Sequence, residues 1–299
     1  MIWSSRSDSS AGDAWPTVSG ATIISRTSWR YGIGADSGDF EFAFFNLAPG
    51  SRSVSRGAEC GHAAVAVTVV AGPTRPDHEL GEPVRIRNVD TGQILEVPAG
   101  SGEVNPLGSC RAKILHEPPI GRLDEVELTT MSSAGKSLHW TVIPAGNIFA
   151  LVPNCSTCND EAIRRDILST TLQWARDSGL PNGSEEFIRT ICHEPHWEEV
   201  SRCRVEVVFW NGVERHNSLP VSGATMLCNH LALERLASSD GRPPDDLDEI
   251  EIEFDVNSIT RMESVTVHAR RIRGSWVIVA TSCSTTARLL FEGTAFLTP

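Results

Sequence analysis

The sequence predicts an α+β fold of two pseudo-symmetric halves, each a strand-rich barrel or roll wrapped around one central helix. Three observations carry this. Short apolar runs bounded by turn residues recur along most of the chain. Residues 60–70 are small and apolar throughout, as a helix buried on all sides would be. A second segment of that kind opens at Ser222-Gly223-Ala224 and continues to about Leu236.

Taken in order, residues 1–20 are rich in Ser, Gly and Asp and are expected to be mobile. Apolar or alternating runs at 22–25, 40–45, 84–87, 94–97, 125–129 and 140–143 read as strands. In the second half 147–152 reads as a strand and 160–178 as an amphipathic helix, with Ile163, Ile167, Leu172 and Trp174 on its apolar side. Strands at 187–192 and 204–210 lead to the second apolar helix, which the Asp- and Pro-rich stretch 238–248 ends. Strands at 249–254, 264–272 and 276–281 follow, then a short helix at 285–291 and a final strand at 294–297. The plan divides the chain into an N-terminal domain over 1–144, a C-terminal domain over 145–284 and a tail, 285–299, that can return to the first domain. Both central helices open with a glycine in the first turn, at Cys60-Gly61 and Ser222-Gly223. Facing each other across a cleft, they would aim both positive helix ends at one ligand.

Composition narrows the function. The 299 residues carry a net charge of −12 with no basic cluster, so nucleic acid and anionic membrane surfaces are poor partners. Only Lys113 and Lys136 are lysines. No stretch approaches the roughly 20 apolar residues of a membrane span and no secretory leader opens the chain, which places it in the cytoplasm by default. Its eight cysteines are accordingly expected to be free thiols. The sequence leaves a homodimer open.

The chemistry centres on Cys60, in Glu59-Cys60-Gly61-His62. A cysteine at a helix start meets unpaired N–H groups and the positive end of the helix dipole, which favour thiolate over thiol. Such a group can remove a proton near neutral pH, while the same N–H groups hold a carboxylate or enolate oxygen. The structural alternative is a buried cysteine that only packs.

Several segments together resemble the diaminopimelate-epimerase-like fold, and within it the branch of PrpF-type 2-methylaconitate cis-trans isomerases. They are residues 40–46 followed by Glu59-Cys60-Gly61-His62, then Ala145-Gly146-Asn147 before an apolar strand, His216 before Ser222-Gly223-Ala224, and the ending Thr286-Ala287-Arg288-Leu289-Leu290-Phe291-Glu292-Gly293-Thr294. The resemblance covers about residues 20–299 and implies a cofactor-independent isomerase with no metal. It implies Cys60 as base, with Asn46, Gly61, Asn147, Ser222, Gly223 and Ala224 as substrate contacts and His216 as a positioning residue and second acid, while His62, two residues after Cys60, is read from its position as a residue that can share the proton.

The departures from that pattern are informative. Where the fold's epimerases carry a second cysteine this chain has Pro220, and racemisation needs a base on each face of the carbon. Moving a double bond needs only one base, so a lone thiolate favours allylic isomerisation. No lysine follows Gly20-Ala21-Thr22, and the nearby Arg26 and Arg30 stay protonated. His62 stands where asparagine is usual and Ile148 where proline is, and the chain is shorter than its PrpF-type counterparts, mostly at the N-terminus. The expected function is a double-bond isomerase or tautomerase acting on a small unsaturated carboxylate in a specialised biosynthetic route. Two alternatives are a non-catalytic binding or partner subunit, and a thiolate enzyme of addition–elimination or C–C cleavage.

Other constellations weigh less. Cys155-Ser156-Thr157-Cys158 has CxxC spacing, but a zinc site would need two more ligands from Cys192, His193, His196 and Cys203. His193-Glu194-Pro195-His196 lacks the spacing of a helical zinc motif, and its proline opposes a helix. Cys228 and His230 lie too far along the second helix to reach its N-terminus. No nucleophile-elbow, Walker or dinucleotide signature occurs.

Overall fold

The computed structural model describes residues 2–6, 18–26, 40–47, 54–56, 83–97, 109–131, 135, 137–180, 187–212, 214–216, 220–238, 243, 247–258 and 262–286. The first half contains strands β1 (Ile2–Arg6), β2 (Val18–Arg26), β3 (Phe40–Leu47), β4 (Val54–Arg56), β5 (Val84–Asn88), β6 (Ile94–Val97) and β7 (Ser109–Ile120). Next come β8 (Val126–Met131), β9 (Ser137–Ala145) and β10 (Asn147–Pro153), a 3₁₀ turn (Thr157–Asn159) and helix α1 (Glu161–Asp177). The chain continues through β11 (Ile188–Glu199), β12 (Arg202–Asn211), β13 (Glu214–Arg215) and helix α2 (Val221–Ala237). It closes with β14 (Glu249–Asn257), β15 (Met262–Ile272) and β16 (Ser275–Thr286).

Among the described residues these strands join into one mixed sheet in the order β1, β2, β3, β5, β6, β7, β16, β15, β14, β12, β11, β10, β9, β8. Strand β16 is the seam, because it pairs antiparallel with β15 on one side and β7 on the other. The last described strand thereby knits the second half to the first. Strands β8 and β9, which precede the expected boundary at 144/145, pair into the second half through β10.

Helix α2 is the core of that half. Eleven of its seventeen residues are buried, among them Leu227, Cys228, Leu231 and Ala232. They pack against Phe149, Leu151, Ile191, Val205, Val207, Phe209, Ile252, Phe254, Val265 and Val267, so strands surround the helix. Three of its buried polar side chains find partners inside the protein, as burial demands. Thr225 Oγ1 donates to the Val221 carbonyl at 3.0 Å, Asn229 Oδ1 accepts from Thr281 Oγ1 at 2.6 Å, and His230 Nδ1 lies 3.0 Å from Glu125 Oε1.

Helix α1 covers the other face of the same sheet. Asp160 caps it by accepting from the Ala162 N–H at 2.9 Å. Ile167, Leu168, Thr171 and Ala175 are buried against Trp140, Val142, Ile148, Ala150 and Ile188, with Ile163, Leu172 and Trp174 at the margin. Alternation along β10 thus sends Phe149 and Leu151 to α2, and Ile148, Ala150 and Val152 to α1.

Three expectations need correction. Residues 2–6 form β1 and 18–20 open β2, and the two strands pair antiparallel although their composition is that of a loop. Backbone pairing overrode composition there. Thr285 and Thr286, expected to open a helix, instead end β16 in register with Cys110 and Ser109, while 287–299 lie outside the described residues. The free-thiol expectation fails at Cys158 and Cys192, which form a disulfide with Cα atoms 6.5 Å apart. The 3₁₀ turn after β10 folds back onto the α1 face of β11, where Cys192 points. The bond takes both residues out of any zinc ligand set, and no group of three ligating side chains occurs among the described residues. No described helix is long and apolar enough to cross a membrane.

Candidate active site

Helix α2 runs parallel to β10 and β11. Gly223, in its first turn, sits against Ile191 and Phe209, and the Arg235 guanidinium, in its last turn, lies 5.0 Å over the Trp197 ring. Because β10 pairs parallel with β11, the helix start lies at the N-terminal end of both strands. Asn147, the first residue of β10, therefore belongs to the end of the roll where α2 begins.

Pro220 is the N-cap, in extended conformation (φ −70°, ψ 121°), and among the described residues no side chain caps the helix. The first intrahelical bond runs from the Ala224 N–H to the Pro220 carbonyl at 2.9 Å. The helix offers no carbonyl to the N–H groups of Ser222 and Gly223, which leaves them directed out of its positive end. Gly223 is required by space, since a Cβ there would lie 2.7 Å from Phe209 Cε1 and 3.4 Å from Ile191 Cδ1. Its absence lets the helix start press onto β11 and β12.

The remaining sequence candidates fall into place around this start or outside it. His216 is half-buried just after β13, and its N–H donates at 2.9 Å to the carbonyl of Phe209, the residue that packs on Gly223. Asn147 is buried on the α2 side of the sheet, immediately after Gly146, whose φ of +71° makes the turn from β9. Ala224 is buried in the core, and its N–H donates to the Pro220 carbonyl. Asn46 lies in β3 opposite Gly20 and Ser55, with its side chain outside the description. Cys60, Gly61, His62 and the expected 60–70 helix lie outside the described residues.

Arg189 is a residue that the sequence reading missed. It shares the α2-facing side of β11 with Ile191, two residues nearer the helix-start end. Its guanidinium donates to Asn211 Oδ1 at 2.7 Å and to the Ile188 carbonyl at 3.1 Å, so its fork is held in place. A held guanidinium at the helix-start end of β11 is suited to a carboxylate.

Three of the free cysteines that are described do not compete with Cys60. Burial, then the Glu194 and Glu206 carboxylates, push the Cys155 thiol up to about 11. Burial pushes Cys203 up to about 12 and raises Cys228 well above the ordinary thiol range. None of these three is a thiolate near neutral pH.

No protein-family model matches the sequence, and neither does any curated protein sequence. Solved structures do match. A methylitaconate-delta-isomerase aligns over 91% of this chain and 80% of its own, at 14% identity and a TM-score of 0.50. A probable proline racemase from Agrobacterium radiobacter K84 aligns over 92% of this chain and 77% of its own, at 12% identity and a TM-score of 0.52. The fold is diaminopimelate-epimerase-like. At these identities the diaminopimelate-epimerase-like fold is shared and nothing finer.

Proposed function

We propose that this protein is a cofactor-independent isomerase that moves a C=C bond in a small unsaturated carboxylate by proton transfer. One observation carries the reading: the start of α2, packed tight at Gly223 and with no side-chain cap among the described residues, lies at the same end of the roll as Asn147 and the held guanidinium of Arg189. The names of the two similar structures, an isomerase and a probable racemase, support proton-transfer chemistry.

In this reading Cys60 as thiolate removes an allylic or α-proton, and its conjugate acid or His62 returns it at the new carbon. The Ser222 and Gly223 N–H groups hold the carboxylate and the dienolate that forms, an interaction of about 3–4 kcal/mol per donor. Arg189 fixes the carboxylate, Asn46 and Asn147 orient the substrate, and His216 is a second acid. Pro220 at the N-cap has no exchangeable proton, so α2 brings no second thiol to the opposite face of the carbon. That favours double-bond migration over racemisation.

The test is incubation of wild type and Cys60→Ser with unsaturated di- and tricarboxylates and dienoic acids in D2O, read by NMR. Deuterium incorporation or double-bond movement that disappears in Cys60→Ser is expected. No exchange by wild type on any panel member, together with ordinary thiol titration at Cys60, would overturn the proposal in favour of a binding subunit. A thioether adduct trapped on Cys60 would instead indicate addition–elimination.

A further inference from the structure

Three cysteines gather where β10 ends and α1 begins, on the side of the sheet away from the α2 start. Cys158 and Cys192 share the disulfide and both are fully buried. Cys155 is free and half-buried, and its thiol donates to the Cys192 carbonyl at 3.4 Å and the Glu206 carbonyl at 3.2 Å. The turn that carries it is fixed. The Asn154 N–H donates to the His193 carbonyl at 2.9 Å, and Asn154, at φ 75°, accepts from the Ser156 N–H at 2.9 Å. The accessible thiol of the group is thus held against a residue whose own sulfur is out of reach of solvent.

Thiol–disulfide exchange requires the attacking sulfur to approach a disulfide sulfur directly, so a bond with both sulfurs buried is closed to external thiols. We propose that Cys155, Cys158 and Cys192 form an exchange site, with Cys155 as the entry point through which a dithiol or low-molecular-weight thiol reduces the buried Cys158–Cys192 bond. Cys155, as thiolate, attacks the Cys158 sulfur. A Cys155–Cys158 bond forms, the Cys158–Cys192 bond breaks, and Cys192 leaves as thiolate and takes up the proton that Cys155 gave up. No oxidant is consumed.

The external thiolate then attacks the Cys155 sulfur, making a mixed disulfide there and releasing Cys158 as thiolate. The second sulfur of the dithiol, or a second thiol, displaces Cys155 and leaves as the oxidised reductant. The protein gains two thiols and the reductant becomes one disulfide. Cys158 is the first target because only two residues separate it from Cys155, so the ring that closes is small and costs little entropy. Burial and the Glu194 and Glu206 carboxylates favour the protonated Cys155 thiol, which keeps the step slow. Exchange loosens the one covalent tie between the turn ahead of α1 and β11 among the described residues.

The experiment is reduction of the folded full chain by dithiothreitol, quenched by alkylation at intervals and mapped by mass spectrometry. Wild type is expected to lose the Cys158–Cys192 bond at least tenfold faster than Cys155→Ser, and the two at equal rates in denaturant. Equal rates in the folded state would overturn the proposal, since the reductant would then reach the bond without Cys155. Cys192→Ser is the second arm: mild oxidation is expected to give a Cys155–Cys158 disulfide, and a Cys158 that stays alkylatable would overturn the short-range exchange.

Discussion

Arg189 shows what register adds to a sequence. An arginine in a strand has two equivalent readings until the face it occupies is known, and that face is fixed by Ile191 two residues on, which meets the helix at Gly223. Ser222 and Gly223 were legible because a small-residue helix start has a local signature, whereas Arg189 and its partner Asn211 are brought together by the pairing of β11 with β12. On the proposed function Arg189 binds the substrate carboxylate. Arg189→Met should raise KM about 10- to 100-fold, the range of a charge-assisted hydrogen bond of roughly 1.5–3 kcal/mol, with a smaller change in kcat. Arg189→Lys should fall between, because it keeps the charge and loses the fork. Initial rates of deuterium exchange against substrate concentration measure this, and an unchanged KM in Arg189→Met would remove Arg189 from the site.

Helix α2 is the element on which fold and proposed site depend together. Its apolar run and its glycine were both readable, but the reason for the glycine was not, because Phe209 belongs to a strand twelve residues or more away in sequence. A methyl on Gly223 collides with Phe209 Cε1 at 2.7 Å inside a packed core. Overpacking of this kind costs about 1–3 kcal/mol, and relief requires the helix start to back away from β12. Gly223→Ala is therefore expected to lower unfolding free energy by that amount and to weaken exchange activity further by displacing the N–H groups. Phe209→Leu removes the colliding atom, so the double variant should recover part of the stability. A denaturant double-mutant cycle reads the coupling, and purely additive effects would contradict the contact. A miss of the opposite kind lies on the α1 face, where the disulfide could not be foreseen because Cys158 and Cys192 are 34 residues apart and meet only through the turn after β10.

At the scale of the molecule, most strands were visible as apolar runs, yet their order was not. The placement of β16 between β7 and β15 is set by tertiary pairing, and it makes the last described strand the seam of the sheet. Buried polar groups bridge that seam. His116, on β7, lies 2.9 Å from Thr281 Oγ1 on β16, and Asn229 of α2 accepts from the same hydroxyl and lies 3.4 Å from the His116 ring. Burial pushes His116 down to about 4, and burial with the nearby His230 does the same to His193 on β11. Both are neutral in the folded protein, whereas in the unfolded chain they titrate near 6.5. Between those values the unfolded state binds more protons, so stability rises with pH across the interval. The contribution is complete above about pH 6.5 and is lost as pH falls toward 4, up to about 3 kcal/mol for each histidine. Denaturant midpoints at pH 7, 5.5 and 4 should therefore fall more steeply for wild type than for His116→Gln, which keeps an amide at the Thr281 hydroxyl and has no proton to gain. Parallel curves for the two proteins would show that His116 is not held neutral at the seam, and the acid sensitivity would then lie with His193 and the carboxylates.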